Sequence, residues 1–439
     1  MIKRALSIFV LLLVANMVYA QKNTFSPVGD IDNIFPVWEQ AKIMEKQLRI
    51  RQKTVVQKIM QREGVDMWIV SIDEGVLFLS LAKANDEGLI SDESDILIFY
   101  QKRDKTLERF EANREELKFM ISKRNPSKIA ISEELKEELK GNFKKEISRF
   151  VSSEPLRTSF LQIRSDEEMS LFEYVTRIAH SVIKEAFSNK VIIPDVTTTD
   201  EVNWWIRQRY RDLGLQTSDH PTITVQRSKL EQPKYAEGDE HFRIDIPPRN
   251  GYNKIIRRGD IISCDTGINY LGLGTDTQQN AYVLKKGETD VPEGLKKAIN
   301  NTGRLQDIFS AEFTDGRMSH EIVNTALRKA KVEGLRASIY SHPIPHFLMR
   351  YSLNGGFFGR TRYYAGPDMG GGENGEEISP ERSGPVYNNT VYAMELDTKT
   401  VVPEWENQLV RIVLEQTIAF IEDKVVFLGG RQTDFYLIK

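Results

Sequence analysis

Two glutamates within apolar, strand-like segments constrain this sequence more than any other feature. Glu395 lies in Thr390-Val-Tyr-Ala-Met-Glu395-Leu396, and Glu415 lies in Leu409-Val-Arg-Ile-Val-Leu-Glu415. A buried carboxylate is costly unless a cation, a hydrogen-bond network or a metal compensates it, so both glutamates need a partner. Arg411 lies four positions before Glu415 on the same strand face, and a structural salt bridge between these two is one explanation. A metal site is the other.

Two aspartates precede these glutamates in a glycine-rich stretch. Asp265 follows the apolar run 261–264, and Asp276 lies eleven positions later, beyond several glycines. If the flanking strands form a hairpin, both carboxylates converge on one point, and one of them can bridge two cations. Taken alone, the pair is better explained as two turn aspartates. Together with the two glutamates, it favours an oxygen-rich metal site.

One short segment can supply the nitrogen ligand that such sites use. Ser341-His342-Pro343-Ile344-Pro345-His346 contains two histidines four positions apart. Imidazole is a common ligand of catalytic metals, although an isolated histidine is more often a surface or core residue. The sequence therefore predicts that one of the two joins the four acids.

The order Asp, Asp eleven positions on, His, Glu, Glu resembles the creatinase/aminopeptidase P superfamily, and the resemblance covers the whole mature chain. It implies an α/β (α+β) protein with a creatinase-like α/β domain over residues 21–160 and a C-terminal pita-bread metallopeptidase domain over residues 161–439. It also implies two divalent metal ions, manganese first, with cobalt or zinc as substitutes. The residues that match the family's metal ligands are Asp265, Asp276, His346, Glu395 and Glu415.

The same resemblance implies a reaction. The expected enzyme is a homodimeric aminopeptidase that hydrolyses N-terminal Xaa-Pro bonds through a hydroxide bridging the two metals, so its substrates are peptides with proline at the second position. Glu395 would carry the proton to the leaving proline nitrogen. His342 or His241 would donate a hydrogen bond to the tetrahedral intermediate.

The sequence also departs from the family pattern. The family usually has Gly-His-x-x-Gly around the ligand histidine, whereas Pro345-His346-Phe347-Leu348-Met349 stands here, and Leu353 replaces a second histidine that contacts substrate. One alternative is thus a catalytically impaired pita-bread homologue that acts as a binding or structural protein. Another is a metal-free, creatinase-type hydrolase of a small guanidino compound, but that chemistry does not need all four carboxylates.

The first twenty residues predict export. Lys3 and Arg4 precede an apolar stretch over residues 5–14, and Val18-Tyr19-Ala20 forms a small-residue cleavage site, which is typical of a secretory signal. We expect a periplasmic or secreted mature protein that begins near Gln21. No later segment has the ~20 apolar residues of a membrane span.

Composition and cysteine content argue against two classes of protein, namely nucleic-acid-binding proteins and proteins built on cysteine pairs or clusters. The net charge is only −3, which does not favour a nucleic-acid partner. Cys264 is the single cysteine, so an intramolecular disulfide and a multi-cysteine metal cluster are excluded. Because it lies in an apolar run, we expect a buried strand thiol.

Apolar periodicity and capping signals predict the main elements. A long helix is expected over residues 34–62, closed by Gly64. Capping boxes at Ser165 and Thr198 each predict the start of a helix. Residues 354–384 contain nine glycines and are expected to form a long surface loop. Further predicted strands and helices are 67–72, 95–100, 128–132, 261–264, 281–284, 303–313 and 320–332.

Overall fold

The computed structural model of this 439-residue chain describes eight ranges of the sequence. These ranges are residues 34–71, 96–143, 145–217, 221–230, 254–351, 357–363, 366–372 and 376–439. Side chains are not described for residues 346–351, 357–363, 371–372 and 382. The predicted signal over residues 1–20 and His241 lie outside the described residues. Both therefore stay predictions.

The N-terminal part of the chain forms a five-stranded sheet between helices. Helix α1 (Val37–Glu63) follows Pro36 and is capped by Gly64, whose φ of 61° places it in the left-handed region that favours glycine. The strands are β1 (Met67–Ser71), β2 (Ile96–Gln101), β3 (Leu107–Ala112), β4 (Ile129–Ile131) and β5 (Phe150–Ser152). The helices are α1 (Val37–Glu63), α2 (Leu117–Arg124), α3 (Glu133–Leu139) and α4 (Glu154–Gln162). The strand order is β3-β2-β1-β4-β5.

Alternating side chains of this sheet fill two separate cores. Trp68 and Val70 of β1 pack with residues of α1 and α4 on one face. Met67 and Ile69 of the same strand pack with residues of α2 and α3 on the other. This alternation follows from the period of two along a strand, and it confirms the predicted α/β character of the first part of the chain.

Two helices follow, and both begin at the capping boxes expected from the sequence. Helix α5 (Asp166–Ala186) is capped by Ser165 together with Glu168, and helix α6 (Thr199–Asp212) by Thr198 together with Glu201. In each box the hydroxyl accepts a backbone N–H and the glutamate accepts another. The two helices pack over one side of the large C-terminal sheet.

The C-terminal part of the chain is built on a nine-stranded sheet. Its main path has the order β15-β12-β16-β17-β11-β8-β7, and two short strands, β18 and β19, pair with β17 and β11. These strands are β7 (Thr222–Gln226), β8 (Ile261–Thr266), β11 (Thr277–Val283), β12 (Arg336–Pro343), β15 (Met369–Gly372), β16 (Thr390–Val402), β17 (Gln408–Ile421), β18 (Lys424–Phe427) and β19 (Tyr436–Ile438). Helices α7 (Glu293–Ser310) and α8 (Ser319–Val332) pack with β12, β16 and β17 in one apolar core.

The C-terminal part of the chain also contains a second, five-stranded sheet. Its strands are β6 (Gln216–Thr217), β9 (Ile268–Tyr270), β10 (Leu273–Gly274), β13 (His346–Tyr351) and β14 (Phe357–Tyr363). Their order in the sheet is β14-β13-β10-β9-β6. The expectation of one long loop over residues 354–384 is wrong, because β14 and β15 both lie within it. Backbone pairing with β13 and β12 organises this stretch in spite of its glycines.

Within the described residues, no helix is both long enough and apolar enough to cross a membrane.

Candidate metal centre

Strand register brings the predicted acids into one row. In the large sheet, Asp265 pairs with Gln278, Gln278 pairs with Glu415, and Glu415 pairs with Glu395. Side chains of directly paired residues in antiparallel strands project from the same face. Three carboxylates from three strands, with one carboxamide between them, therefore line a single face of the sheet.

The fourth acid joins this row through the hairpin expected from the sequence. Strands β8 and β11 are antiparallel, with Thr266 opposite Thr277. Asp276 precedes Gln278 by two positions, so its side chain projects from the same face as that of Gln278. The structure thus brings all four acids together, although they span residues 265–415 of the sequence.

His342 of β12 completes the cluster. It pairs with Ala393, two positions before Glu395 on β16. Its Nε2 lies 3.6 Å from Oδ2 of Asp276 and 3.9 Å from Oε2 of Glu395. Asp276, His342 and Glu415 each offer a ligand atom, and these atoms lie within 4.8 Å of one another.

The tautomer of His342 bears on what this cluster can hold. Nδ1 lies 3.1 Å from the carbonyl oxygen of Pro343, which can only accept a hydrogen bond. In the neutral ring Nδ1 therefore carries the proton, and the lone pair of Nε2 faces the carboxylates. A lone pair beside two carboxylates is unfavourable unless a second proton or a cation lies between them. This geometry suits a metal ligand.

Glu415 gives a second observation on the fit of a cation. Its side chain is 1% exposed. Burial raises the pKa of Glu415 well above its ordinary value, and the charges of Asp276 and the other two acids raise it further. A buried acid among three others is stabilised by positive charge. Four carboxylates and one imidazole form an oxygen-rich donor set, which fits divalent ions such as Mn²⁺, with Zn²⁺ or Co²⁺ also compatible.

Two buried hydroxyls hold the backbone of the ligand-bearing residues. The hydroxyl of Ser341 accepts from the backbone N–H of Glu395 (2.9 Å) and donates to its carbonyl oxygen (3.0 Å). The hydroxyl of Thr417 accepts from the backbone N–H of Asp276 (3.2 Å) and donates to its carbonyl oxygen (2.9 Å). Sequence reasoning missed both residues, because no local pattern shows which backbone a hydroxyl will face.

Arg411 does not pair with Glu415, so that explanation of the buried acid is wrong. Its Nε and Nη2 both lie 2.7 Å from Oδ2 of Asp397, and Nη2 donates to the hydroxyl of Tyr340 at 2.8 Å. Four residues along a strand are about 13 Å, which is too far for a salt bridge. Asp397 lies on the neighbouring strand, diagonally opposite Arg411. Arg411 therefore does not neutralise Glu415, which is hydrogen-bonded to Asp276 among the other acids.

The other predicted residues have different outcomes. The backbone of His346 begins β13 and pairs with Leu273, but its side chain is not described, so its role as a ligand stays a prediction. Cys264 is a buried thiol of β8, as expected, and burial raises its pKa. That environment disfavours the reactive thiolate.

Comparison with protein families decides the class. The model of metallopeptidase family M24 matches residues 170–426, which is more than half of the chain. The chain belongs to metallopeptidase family M24. Members of this family use divalent metal ions, in agreement with the donor set described above. No curated protein sequence matches the chain.

One solved structure reaches a TM-score of 0.50 and supports the fold, and two further structures are similar at slightly lower scores. The X-Pro aminopeptidase from Thermotoga maritima MSB8 matches with a TM-score of 0.50 at 14% identity, covering 86% of this chain and 99% of that one. A dipeptidase from Pyrococcus horikoshii OT3 gives 0.49 at 14%, covering 88% and 99%. The Xaa-Pro dipeptidase from Bacillus anthracis gives 0.49 at 13%, covering 90% and 99%. The predicted pita-bread fold in the C-terminal part of this family M24 protein is thus confirmed.

Proposed function

We propose that this metallopeptidase is a dinuclear, metal-dependent aminopeptidase that hydrolyses N-terminal Xaa-Pro bonds. One observation carries the proposal: Asp276, His342 and Glu415 place their ligand atoms within 4.8 Å of one another, in a row that includes two further acids. When bound, divalent ions at such a site supply Lewis acidity that activates water and the scissile carbonyl.

Five side chains would hold the ions. They are Asp265, Asp276, His342, Glu395 and Glu415, with manganese as the first choice and cobalt or zinc as substitutes. Glu415 is the most buried of them and lies between Gln278 and Glu395 in the strand register. We propose His342 as a nitrogen ligand because its imidazole faces the acids, and the ligand role of His346 stays a prediction.

The chain's own residues can also move the proton that peptide hydrolysis requires. The side chain of Glu395 is 22% exposed, which makes it more accessible than Glu415. The hydroxyl of Ser341 bonds both the backbone N–H and the carbonyl oxygen of Glu395. A positioned carboxylate can accept a proton from water and pass it to the leaving amine. We assign this step to Glu395, with His241 remaining the predicted donor to the tetrahedral intermediate.

The preference for proline is supported by the likeness to the X-Pro aminopeptidase from Thermotoga maritima. The substrates would be peptides with proline at the second position, cleaved after their first residue. We further propose that the chain is exported with loss of residues 1–20 and that it assembles as a homodimer. Each subunit would consist of two domains with a boundary near residue 160. Mass spectrometry of the mature chain and its sedimentation in solution test these points.

The function is tested on the purified mature chain, stripped of metal and then titrated with Mn²⁺. Cleavage of an Ala-Pro-containing peptide is compared with cleavage of the same peptide carrying Ala-Ala. We expect two equivalents of Mn²⁺ to bind and cleavage of the proline peptide to depend on them. Glu415→Gln should lose both properties.

Glu312→Gln is the matched control. Glu312 is also a buried acid, but it pairs with Arg317 and Lys329 away from the row of ligands. It should retain metal binding and cleavage. A wild-type chain that binds no Mn²⁺ and cleaves neither peptide would instead support the impaired homologue that acts as a binding or structural protein. Equal cleavage of both peptides would overturn the proline preference alone.

A further inference from the structure

A buried arginine reaches the short connection that follows His342. Arg164 lies between α4 and α5, and its side chain is 1% exposed. Its Nη2 donates to the carbonyl oxygen of Ile344 at 3.1 Å. Its backbone N–H donates to the carbonyl of Asn389, at the start of β16. Arg164 thus contacts the connection between β12 and β13 and the chain that leads to Glu395.

The connection itself has little backbone freedom. Ile344 lies between Pro343 and Pro345, whose rings fix φ and restrict the residue that precedes each of them. The backbone N–H of Ile344 donates to Val391 of β16 at 3.0 Å, and its carbonyl accepts from Arg164. The next carbonyl back, that of Pro343, faces Nδ1 of His342 at 3.1 Å. A shift of this connection would therefore move the carbonyl group that orients the imidazole of His342.

Glu168, which is paired with Arg51, places a buried carboxylate near the guanidinium of Arg164. Glu168 lies with Oε1 3.9 Å from Nη1 of Arg164 and with Oε2 2.7 Å from Nη1 of Arg51. Arg51 belongs to α1, and it also donates to the carbonyls of Phe160 and Ile163. All three charged side chains are 1% exposed. Burial lowers the pKa of Arg164 to about 10, so its charge persists near neutral pH.

We propose that Arg164 is a positioning residue of the metal centre: it holds the Pro343–Pro345 connection so that Nε2 of His342 faces Asp276. This inference rests on the proposed function, because it takes His342 as a metal ligand. It also links helix α1 to the site, since Arg51 of α1 pairs with Glu168, whose carboxylate lies near the guanidinium of Arg164. Replacement of a residue that holds a metal ligand in position typically lowers the metal affinity about 10- to 100-fold.

The test compares the buried Arg164 with the partly buried Arg227 in the full mature chain. Arg164→Met removes the contact with Ile344. Arg227→Met is the control, because Arg227 likewise pairs with a buried acid, Asp260, and donates to a backbone carbonyl, that of Ile255. Arg227 lies on the opposite edge of the sheet from β12. Both variants should lose stability, so stability alone does not distinguish them.

Three measurements other than activity test the positioning role of Arg164. The first two are the Co²⁺ affinity by calorimetry and the visible absorption of bound Co²⁺. The third is the ring ¹⁵N signal of His342 in the metal-free protein, assigned with His342→Gln. We expect Arg164→Met to weaken Co²⁺ binding about 10- to 100-fold, change the Co²⁺ spectrum and move the His342 signal. Arg227→Met should leave all three close to wild type.

Arg164→Lys keeps the inference testable if the methionine variant does not fold. Lysine retains the charge but has a single donor group in place of the planar fork, so we expect a smaller change in the same direction. Unchanged affinity and an unmoved His342 signal in a folded Arg164 variant would overturn the inference. A wild-type chain that binds no Co²⁺ would overturn the proposed function, whereas a moved His342 signal in metal-free Arg164 variants would still support the positioning role.

Discussion

Replacement of Ser341 by alanine should weaken metal binding although it replaces none of the proposed ligands. Ser341 is fully buried, and its hydroxyl bonds both the N–H and the carbonyl oxygen of Glu395. The backbone pairing of β12 with β16 skips Tyr340 and Ser341, while the register on either side is the same. The hydroxyl therefore satisfies the peptide groups of Glu395 where direct pairing of the two strands does not.

The cost can be worked out from these two hydrogen bonds. Each buried polar group left without a partner costs about 1 to 3 kcal/mol, so Ser341→Ala should lower the free energy of unfolding of the metal-free protein by about 2 to 6 kcal/mol. A displaced Glu395 should also weaken Mn²⁺ binding about 10- to 100-fold. Urea unfolding followed by circular dichroism gives the first quantity, and calorimetric titration gives the second.

A matched serine separates the local effect from the general cost of losing a buried hydroxyl. Ser319 is also fully buried, and its hydroxyl donates to the carbonyl oxygen of Asp368 at 2.9 Å, away from the acids. Ser319→Ala should destabilise the fold but leave Mn²⁺ affinity unchanged, and Ser341→Thr should retain most of the affinity. If folded Ser341→Ala binds Mn²⁺ within twofold of wild type, Ser341 does not position Glu395.

Three further predictions follow from burial and charge. Because the pKa of Glu415 is raised by burial and by neighbouring acids, its contribution to stability is full below the ordinary value of 4.5 and is lost as pH rises through the raised pKa. Urea unfolding of the metal-free wild type should thus show falling stability above about pH 5, and Glu415→Gln should flatten that dependence. Arg51→Met leaves the buried Glu168 without its closest partner and should cost about 3 to 5 kcal/mol by the same assay; a loss below 1 kcal/mol would show that the pair is solvated. Calorimetry should show weaker Mn²⁺ binding for His342→Gln than for His346→Gln, and the reverse order would restore His346 as the ligand.

Local signals in the sequence predicted much of the framework. Both capping boxes begin helices, and α1 ends at the predicted glycine. The pairing of β8 with β11 confirms the glycine-turned hairpin that brings Asp265 and Asp276 together. These features depend on residues close in sequence, so a short window is enough to recognise them.

Relations across strands were not predictable in the same way. The partner of Arg411 is Asp397, because the register of β16 and β17 places them diagonally across from each other. No pattern within β17 alone contains that information. The pairing of residues 357–372 into two strands likewise depends on the neighbouring β13 and β12, which supply the backbone partners that a glycine-rich stretch does not suggest by itself.

The sequence could not show which of the two histidines faces the acids, and the ligand role of His346 stays a prediction. The family resemblance assigned the ligand role to His346, from its place in the order of acids and histidine. In the structure, β12 continues through His342 and pairs with β16, which places this imidazole beside Asp276 and Glu395. Sequence spacing could not show where β12 ends, since Pro343 is still part of the strand.

The most direct test of the metal centre is anomalous diffraction from crystals of the mature protein grown with Mn²⁺. We predict two anomalous peaks among the carboxylates of Asp265, Asp276, Glu395 and Glu415, one of them in contact with Nε2 of His342. Density showing these side chains in place with no anomalous peak between them, at saturating Mn²⁺, would contradict the assignment of the site.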